Sequence, residues 1–189
     1  MAKSLAIALI IAAFVIGIGA GYILTPFYSM DSYSNSHMTG LGQADRYVDL
    51  RYIDAMIAHH LSAIKLAEQA KKYSERQEII SLADEIIKNE PSAINELYAW
   101  KKEWFNNGKK IAASEVPNLG SFDEKFDLRF LNAIITHHEE GIKMTKEIRY
   151  KSLRPEILNN ADDVENFLKN SISMLSEWRS QWYPSIEGN

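Results

Sequence analysis

The chain has 189 residues, with 21 basic and 25 acidic side chains, a net charge of −4 and 46% hydrophobic residues. That is enough for one domain with a buried core, and the lack of any Lys/Arg block able to track a phosphate backbone argues against a nucleic-acid partner. The absence of cysteine excludes disulfides, thiolate metal sites and thiol nucleophiles, so a metal ion would have to be held by His, Met or carboxylate.

After Lys3, residues 5–24 form an uncharged run of 20 residues, the length needed to cross the hydrocarbon core of a bilayer. The run predicts an uncleaved transmembrane anchor within residues 1–25; a cleaved secretory signal, with Ile18-Gly19-Ala20 as its weak cleavage site, is the alternative. Lys3 is the cation flanking the run, so the positive-inside rule leaves the N-terminus cytoplasmic and the body periplasmic or extracellular. Gly17 and Gly21 form a GxxxG pair, read either as small residues tolerated in a span or as the contact of a homodimer. Residues 26–43, rich in Ser, Tyr and Gly without helical periodicity, read as a juxtamembrane linker.

The remainder is an internal duplication. At an offset of 78 residues, positions 47–105 match 125–183 without a gap and with 19 identities in 59 positions. Each copy predicts two helices, giving a first hairpin at 44–107, a linker at 108–121 and a second hairpin at 122–185. The first helix is expected from Ala44 to Lys72. Ser74 with Gln77 has the spacing of a capping box opening the second, which ends at Asn106-Asn107-Gly108. Ser121 with Glu124 repeats the pattern ahead of the third helix, to Tyr150; Ser152 and Pro155 open the fourth, and Pro184 stops it. Pro91 falls inside the second helix, where a kink is expected. Apolar stripes on all four helices predict an all-α, antiparallel four-helix bundle, with Trp100/Trp104 and Trp178/Trp182 packing at its ends.

At 100° per residue, Asp49, Ile53, Met56, His60, Ile64 and Ala67 fall on the centre of the first apolar face, with His59 at its edge. The second copy places Asp127, Leu131, Ile134, His138, Ile142 and Thr145 the same way, with His137 at the edge. His60 and His138 are therefore expected to face each other in the core, at one level with His59 and His137. A buried His is commonly just a hydrogen-bonded core residue, but four of the chain's five histidines at one level bring a metal site into equal contention. Neutral imidazole suits copper, zinc, nickel or iron, and the thioether of Met56, one turn before His60, tilts the choice toward copper. Met144, a further thioether candidate, lies about 10 Å along the axis beyond His137, too far for the same ion. Asp49 and Asp127 are further carboxylate candidates, although Asp49 stands about 16 Å from His60 along its helix and an early-helix carboxylate or an ion pair with Arg explains both.

The pattern Asp49, Tyr52, Met56, His59-His60, Ala63, then Ala83, Ile86, Ile94 and Trp100, resembles the bacterial and archaeal domain of unknown function 305 family. The second copy is similar through Asp127, Phe130, His137-His138, Gly141, Met144, Ala161, Ile172 and Trp178. The resemblance implies a ferritin-like fold, export or membrane anchoring and, as in some members, copper binding. Departures bear on the methionines: Leu66 and Ile134 stand where the family often has Met, and the family's second-helix pattern of Gln, Glu and Met before Trp appears as Glu90, Ala93 and Leu97, then as Leu168, Ser171 and Leu175. The expected function is a membrane-anchored metal-binding protein that buffers, stores or delivers copper, with zinc as the alternative ion. A structural or interaction bundle whose histidines are core hydrogen-bonding groups is the competing reading. A catalytic role is not expected, because no positioned acid or base accompanies the histidines.

Overall fold

Arg51 decides where the first helix starts. Its Nε donates to the Leu41 carbonyl at 2.6 Å and its Nη2 to the Gln43 carbonyl at 2.6 Å, while the Asp45 carboxylate accepts the Tyr47 N–H at 2.8 Å. These bonds hold Ala44 to Tyr47 as turns, so α1 (Val48–Tyr73) begins four residues later than the apolar periodicity indicates. The structure, a computed structural model describing residues 40–184, repeats the device in the second copy: Arg129 binds the carbonyls of Leu119 and Ser121, and Asp123 accepts the Lys125 N–H. Asp123, not a Ser121/Glu124 box, therefore shapes the start of α3 (Phe126–Arg149). The duplication also reaches further upstream than 47. Leu41-Gly42 matches Leu119-Gly120, both leucines are buried, and both glycines take the positive φ that the turn requires, 72° and 77°.

The hairpins close through α2 (Gln77–Phe105) and α4 (Pro155–Trp182). Ser74 does not form the expected capping box. Its hydroxyl accepts the Arg76 N–H and donates to the Asp127 carboxylate, while Gln77 reaches forward to Ser81. Pro155 occupies the first turn of α4 as expected, and Asn106 ends α2 in the left-handed conformation at φ 45°. Helix α2 runs without interruption through Pro91. Residues 108–121 cross back over α1 as an extended strap, the Ser62 hydroxyl and the Gln69 amide donating to the carbonyls of Ser114 and Pro117.

Within each hairpin the two helices pack along their length, and the hairpins meet through α1 and α3. Two apolar clusters result. The far cluster joins Ala63, Leu66 and Ala70 of α1 to Ile79 and Ile86 of α2, Phe126, Leu131 and Ile134 of α3 and Leu175 of α4. The leading cluster, where α1 begins, joins Tyr52, Ile53 and Met56 to Leu97, Ile148, Val164 and Leu168. Late α1 thus meets early α3, which makes the helices antiparallel, and His59, His60, His137 and His138 fall between the clusters. Among the described residues no helix is long and apolar enough to cross a membrane, and the uncharged run 5–24 lies outside them.

Reciprocal contacts tie one hairpin to the other. Arg76, in the first turn, pairs with Asp127 at 3.3 Å and lies 4.3 Å over the Trp182 ring; Arg154, in the second, pairs with Asp49 at 3.3 Å and lies 4.1 Å over Trp104. Each tryptophan in turn stacks on the one a helical turn before it. Exchange of the same contacts in both directions is the two-fold relation that the repeat implies. Because each Arg combines an ion pair with a cation–π contact at a partly dry site, Arg76→Ala and Arg154→Ala should each lower stability by about 1–3 kcal/mol in urea unfolding. The two losses should be close to additive, since the contacts lie at opposite ends of the bundle; unchanged midpoints would show that they do not hold the hairpins together.

Candidate metal centre

The layer between the clusters is built from one His-His pair on each central helix. All four rings are buried, with 5–7% of their surface exposed. His59 of α1 and His137 of α3 stack across the interface with centroids 3.7 Å apart and planes 5° from parallel. His60 and His138 turn outward from this pair. The His60 Nδ1 pairs with the Glu90 carboxylate of α2, and the His138 Nε2 bonds the Ser171 hydroxyl of α4 at 3.0 Å, with Phe167 beside its ring.

The expectation that His60 and His138 face each other is therefore corrected: the pair that meets is His59 and His137. The physical reason is that each central helix turns the middle of its apolar face to its own hairpin partner, leaving the edge of that face for the other hairpin. The stack needs room. A Cβ on Gly141 would lie 2.7 Å from the His59 Nε2 and 2.6 Å from Leu168, so the glycine clears space for the ring. Its counterpart in the first copy is Ala63.

Three ring nitrogens in this layer, His60 Nε2, His137 Nε2 and His138 Nδ1, are buried without a hydrogen-bond partner. Burial holds the His59 pKa well below the ordinary range, and the three other imidazoles lower it further. Burial pushes His137 down to about 4, the Glu90 carboxylate opposing and His60 adding to the effect, and pushes His138 down to about 3, helped by His137. These three rings are neutral at pH 7, the form that donates a lone pair to a metal. Proton competition at His137 and His138 accordingly starts well below the pH of about 6.5 expected for an ordinary histidine.

The sequence candidates divide cleanly. Met56 is fully buried in the leading cluster, and Met144 packs against the same cluster. Because α1 and α3 are antiparallel, thioethers at non-equivalent positions of the two copies come to one side of the histidine layer. Their counterparts, Ile134 and Leu66, fill the far side. Asp49 and Asp127 are not brought to the layer. They sit at opposite ends of the bundle, bound to Arg154 and to Arg76 and Ser74. Among the described residues no three His or acidic side chains form a finished ion site. The stack explains why: parallel rings aim their lone pairs side by side rather than at a shared point, so joint coordination needs His59 or His137 to turn about its Cβ–Cγ bond.

A family model described as "Domain of unknown function (DUF305)" matches residues 49–120 and 127–189. The chain belongs to the DUF305 family, in two tandem copies. No curated protein matches it. Among solved structures, CopM in the Cu(I)-bound form is 28% identical, with a TM-score of 0.64 over 71% of this chain and 97% of that one. CopM in a Ag-bound form is 30% identical, with the same TM-score and coverage. A Cu(II)-bound form matches as well. A DUF305 protein from Streptomyces coelicolor shares the fold at 15% identity, with a TM-score of 0.63 over 71% of this chain and 91% of that one. These CopM forms carry copper or silver; zinc, the other ion considered for this DUF305 chain, has no counterpart among them.

Neutral burial of histidine has a thermodynamic consequence. Between pH 6.5 and about 4 the unfolded chain takes up protons that the folded chain refuses at His137 and His138. Stability therefore rises with pH through this window and is fully present above it, by about 1.4 kcal/mol per pH unit for each such histidine. Urea unfolding of the metal-free protein at pH 7 and 5.5, above the range where most carboxylates titrate, should show a lower midpoint at 5.5. Replacing His137 and His138 by Gln should reduce that difference to the share left by His59, and an undiminished pH dependence in the variant would show that these two rings are not its source.

Proposed function

We propose that this DUF305 protein is a copper-binding protein whose ion is taken up by the histidine layer between the two hairpins. The observation that carries the reading is the set of buried, unpartnered imidazole nitrogens on His60, His137 and His138. A core built only for stability would satisfy such atoms or replace them with apolar groups, because an unpaired buried polar group is costly. His59 and His137 bridge the hairpins, and Glu90 and Ser171 fix the ring orientations of His60 and His138, as outer partners of ligating histidines do. Met56, one turn before His60, supplies a softer donor on one side of the layer. Thioether and imidazole together favour copper, and Cu(I) in particular. Copper and silver in the CopM structures, which share the fold, support the same ion class.

The protein is cargo-handling rather than catalytic on this reading, and it buffers, stores or delivers copper outside the cytoplasm. Residues 5–24 hold it to the membrane, with the bundle on the outer side. A helical bundle without metal is the competing reading, and the hydrogen bond from His138 to Ser171 is the feature that favours it.

Titration of the full chain with Cu(I) against a competing chelator, and with Ag(I), separates the two. The parent should bind stoichiometrically. His60→Gln combined with His138→Gln should weaken Cu(I) binding at least about a hundredfold, consistent with loss of two donors, while the helical circular dichroism of the metal-free protein stays the same. Asp49→Asn should leave copper affinity unaltered. Parent-like affinity in the double variant would remove the histidine layer as the site; no stoichiometric binding by the parent would leave the structural bundle.

A further inference from the structure

The duplication supplies an internal control for the surface. The two hairpin turns share their local architecture: Ser74 accepts the Arg76 N–H as Ser152 accepts the Arg154 N–H, and both arginines latch the opposite hairpin. Yet the second turn carries Tyr150 and Leu153 where the first carries Lys72 and Glu75. Tyr150 is 86% and Leu153 95% exposed, so neither packs against the fold. The turn closes equally well with a lysine and a glutamate at these positions, which shows that the fold does not require an apolar pair there. Phe122, another exposed large apolar residue, stands apart at the far end and is 51% exposed.

The location of the apolar turn is informative. It lies at the leading end, where the Lys151 ammonium donates to the Gly42 carbonyl and the Glu147 carboxylate accepts the Leu41 N–H. Leu41 and Gly42, at the start of the bundle, are thus held by Glu147 and Lys151, close in sequence to Tyr150 and Leu153. Exposed Lys146 lies in the last turn of α3, four residues before Tyr150, and Lys151 follows it in the turn. An aromatic residue and a leucine among lysines suit the headgroup region of an anionic bilayer, where the ring sits at the interface and the ammonium groups meet lipid phosphates.

We propose that the α3–α4 turn is a lipid-docking tip: Tyr150 and Leu153 enter the headgroup layer of the membrane and set the bundle upright on it. The proposal rests on the membrane anchoring described above. It adds a second, reversible contact that would orient the histidine layer at a fixed height above the bilayer.

The lack of native cysteine makes a single label unique. Leu153→Cys and Glu75→Cys, each in the full chain, would carry the same fluorophore in vesicles of phosphatidylcholine and phosphatidylglycerol. A nitroxide attached to the lipid headgroup should quench the label at 153 several-fold more than the label at 75. Adding Tyr150→Lys to the 153-labelled chain should reduce that quenching. Equal quenching at both positions overturns the proposal while flotation of the chain with the vesicles keeps the anchor intact. Failure of the chain to float overturns the anchor and the tip together. Shielding of position 153 from an aqueous quencher without quenching from the lipid would show a second copy covering the turn, and also rules out lipid docking.

Discussion

Four imidazoles in a layer between two apolar clusters impose the constraint on which this molecule turns. Each ring is polar, each is nearly dry, and burial holds at least three of them neutral. A helix cannot shed such a ring to solvent without moving the apolar residues one turn above and below it. The layer therefore fixes the register of α1 against α3, and the stack of His59 on His137 is the contact through which that register is expressed. Glu90 and Ser171 answer the two remaining rings from the outer helices, so all four helices contribute to one level of the bundle.

Duplication produced the layer and divergence made it unequal. Positions 90 and 168 correspond, yet one holds the glutamate that binds His60 and the other a leucine in the leading cluster; positions 93 and 171 hold Ala and the serine that binds His138. One hairpin thus offers its histidine an anion and the other a neutral hydroxyl. The thioethers diverged in the opposite sense. Met56 and Met144 occupy non-equivalent repeat positions, and the antiparallel pairing brings both to the same side of the layer, so the site has a soft side and an aliphatic side.

What the sequence makes legible follows from periodicity and repetition. The four helices, their pairing into hairpins, the αL ending at Asn106 and the shared level of the histidines are all written in spacings of three, four and 78 residues. Facing across the bundle is not, because an apolar face about 100° wide does not say which part of it meets which neighbour. That is why His59 and His137, on the edge of the stripe, rather than His60 and His138, form the central contact. Glu90 and Ser171 fall on the family's second-helix pattern, but nothing in that pattern pairs them with histidines; that needs α2 and α4 docked against the central helices. Arg76 and Arg154 occupy equivalent repeat positions, but nothing in the spacing marks them as links between hairpins; that role depends on where Trp182 and Trp104 lie. The serines at 74 and 121 misled because Ser74 gives its hydroxyl to Asp127 and takes the Arg76 N–H, and because Asp123 rather than Ser121 accepts the Lys125 N–H ahead of α3.

The central claim is that copper is bound by imidazoles from both hairpins. Extended X-ray absorption fine structure at the copper K edge of the full chain loaded with one Cu(I) addresses it directly. Two or three imidazole nitrogens are expected, recognised by the multiple scattering of the ring, with at most one sulfur neighbour, from Met56. A copper shell of sulfur or oxygen alone, without imidazole scattering, would contradict it.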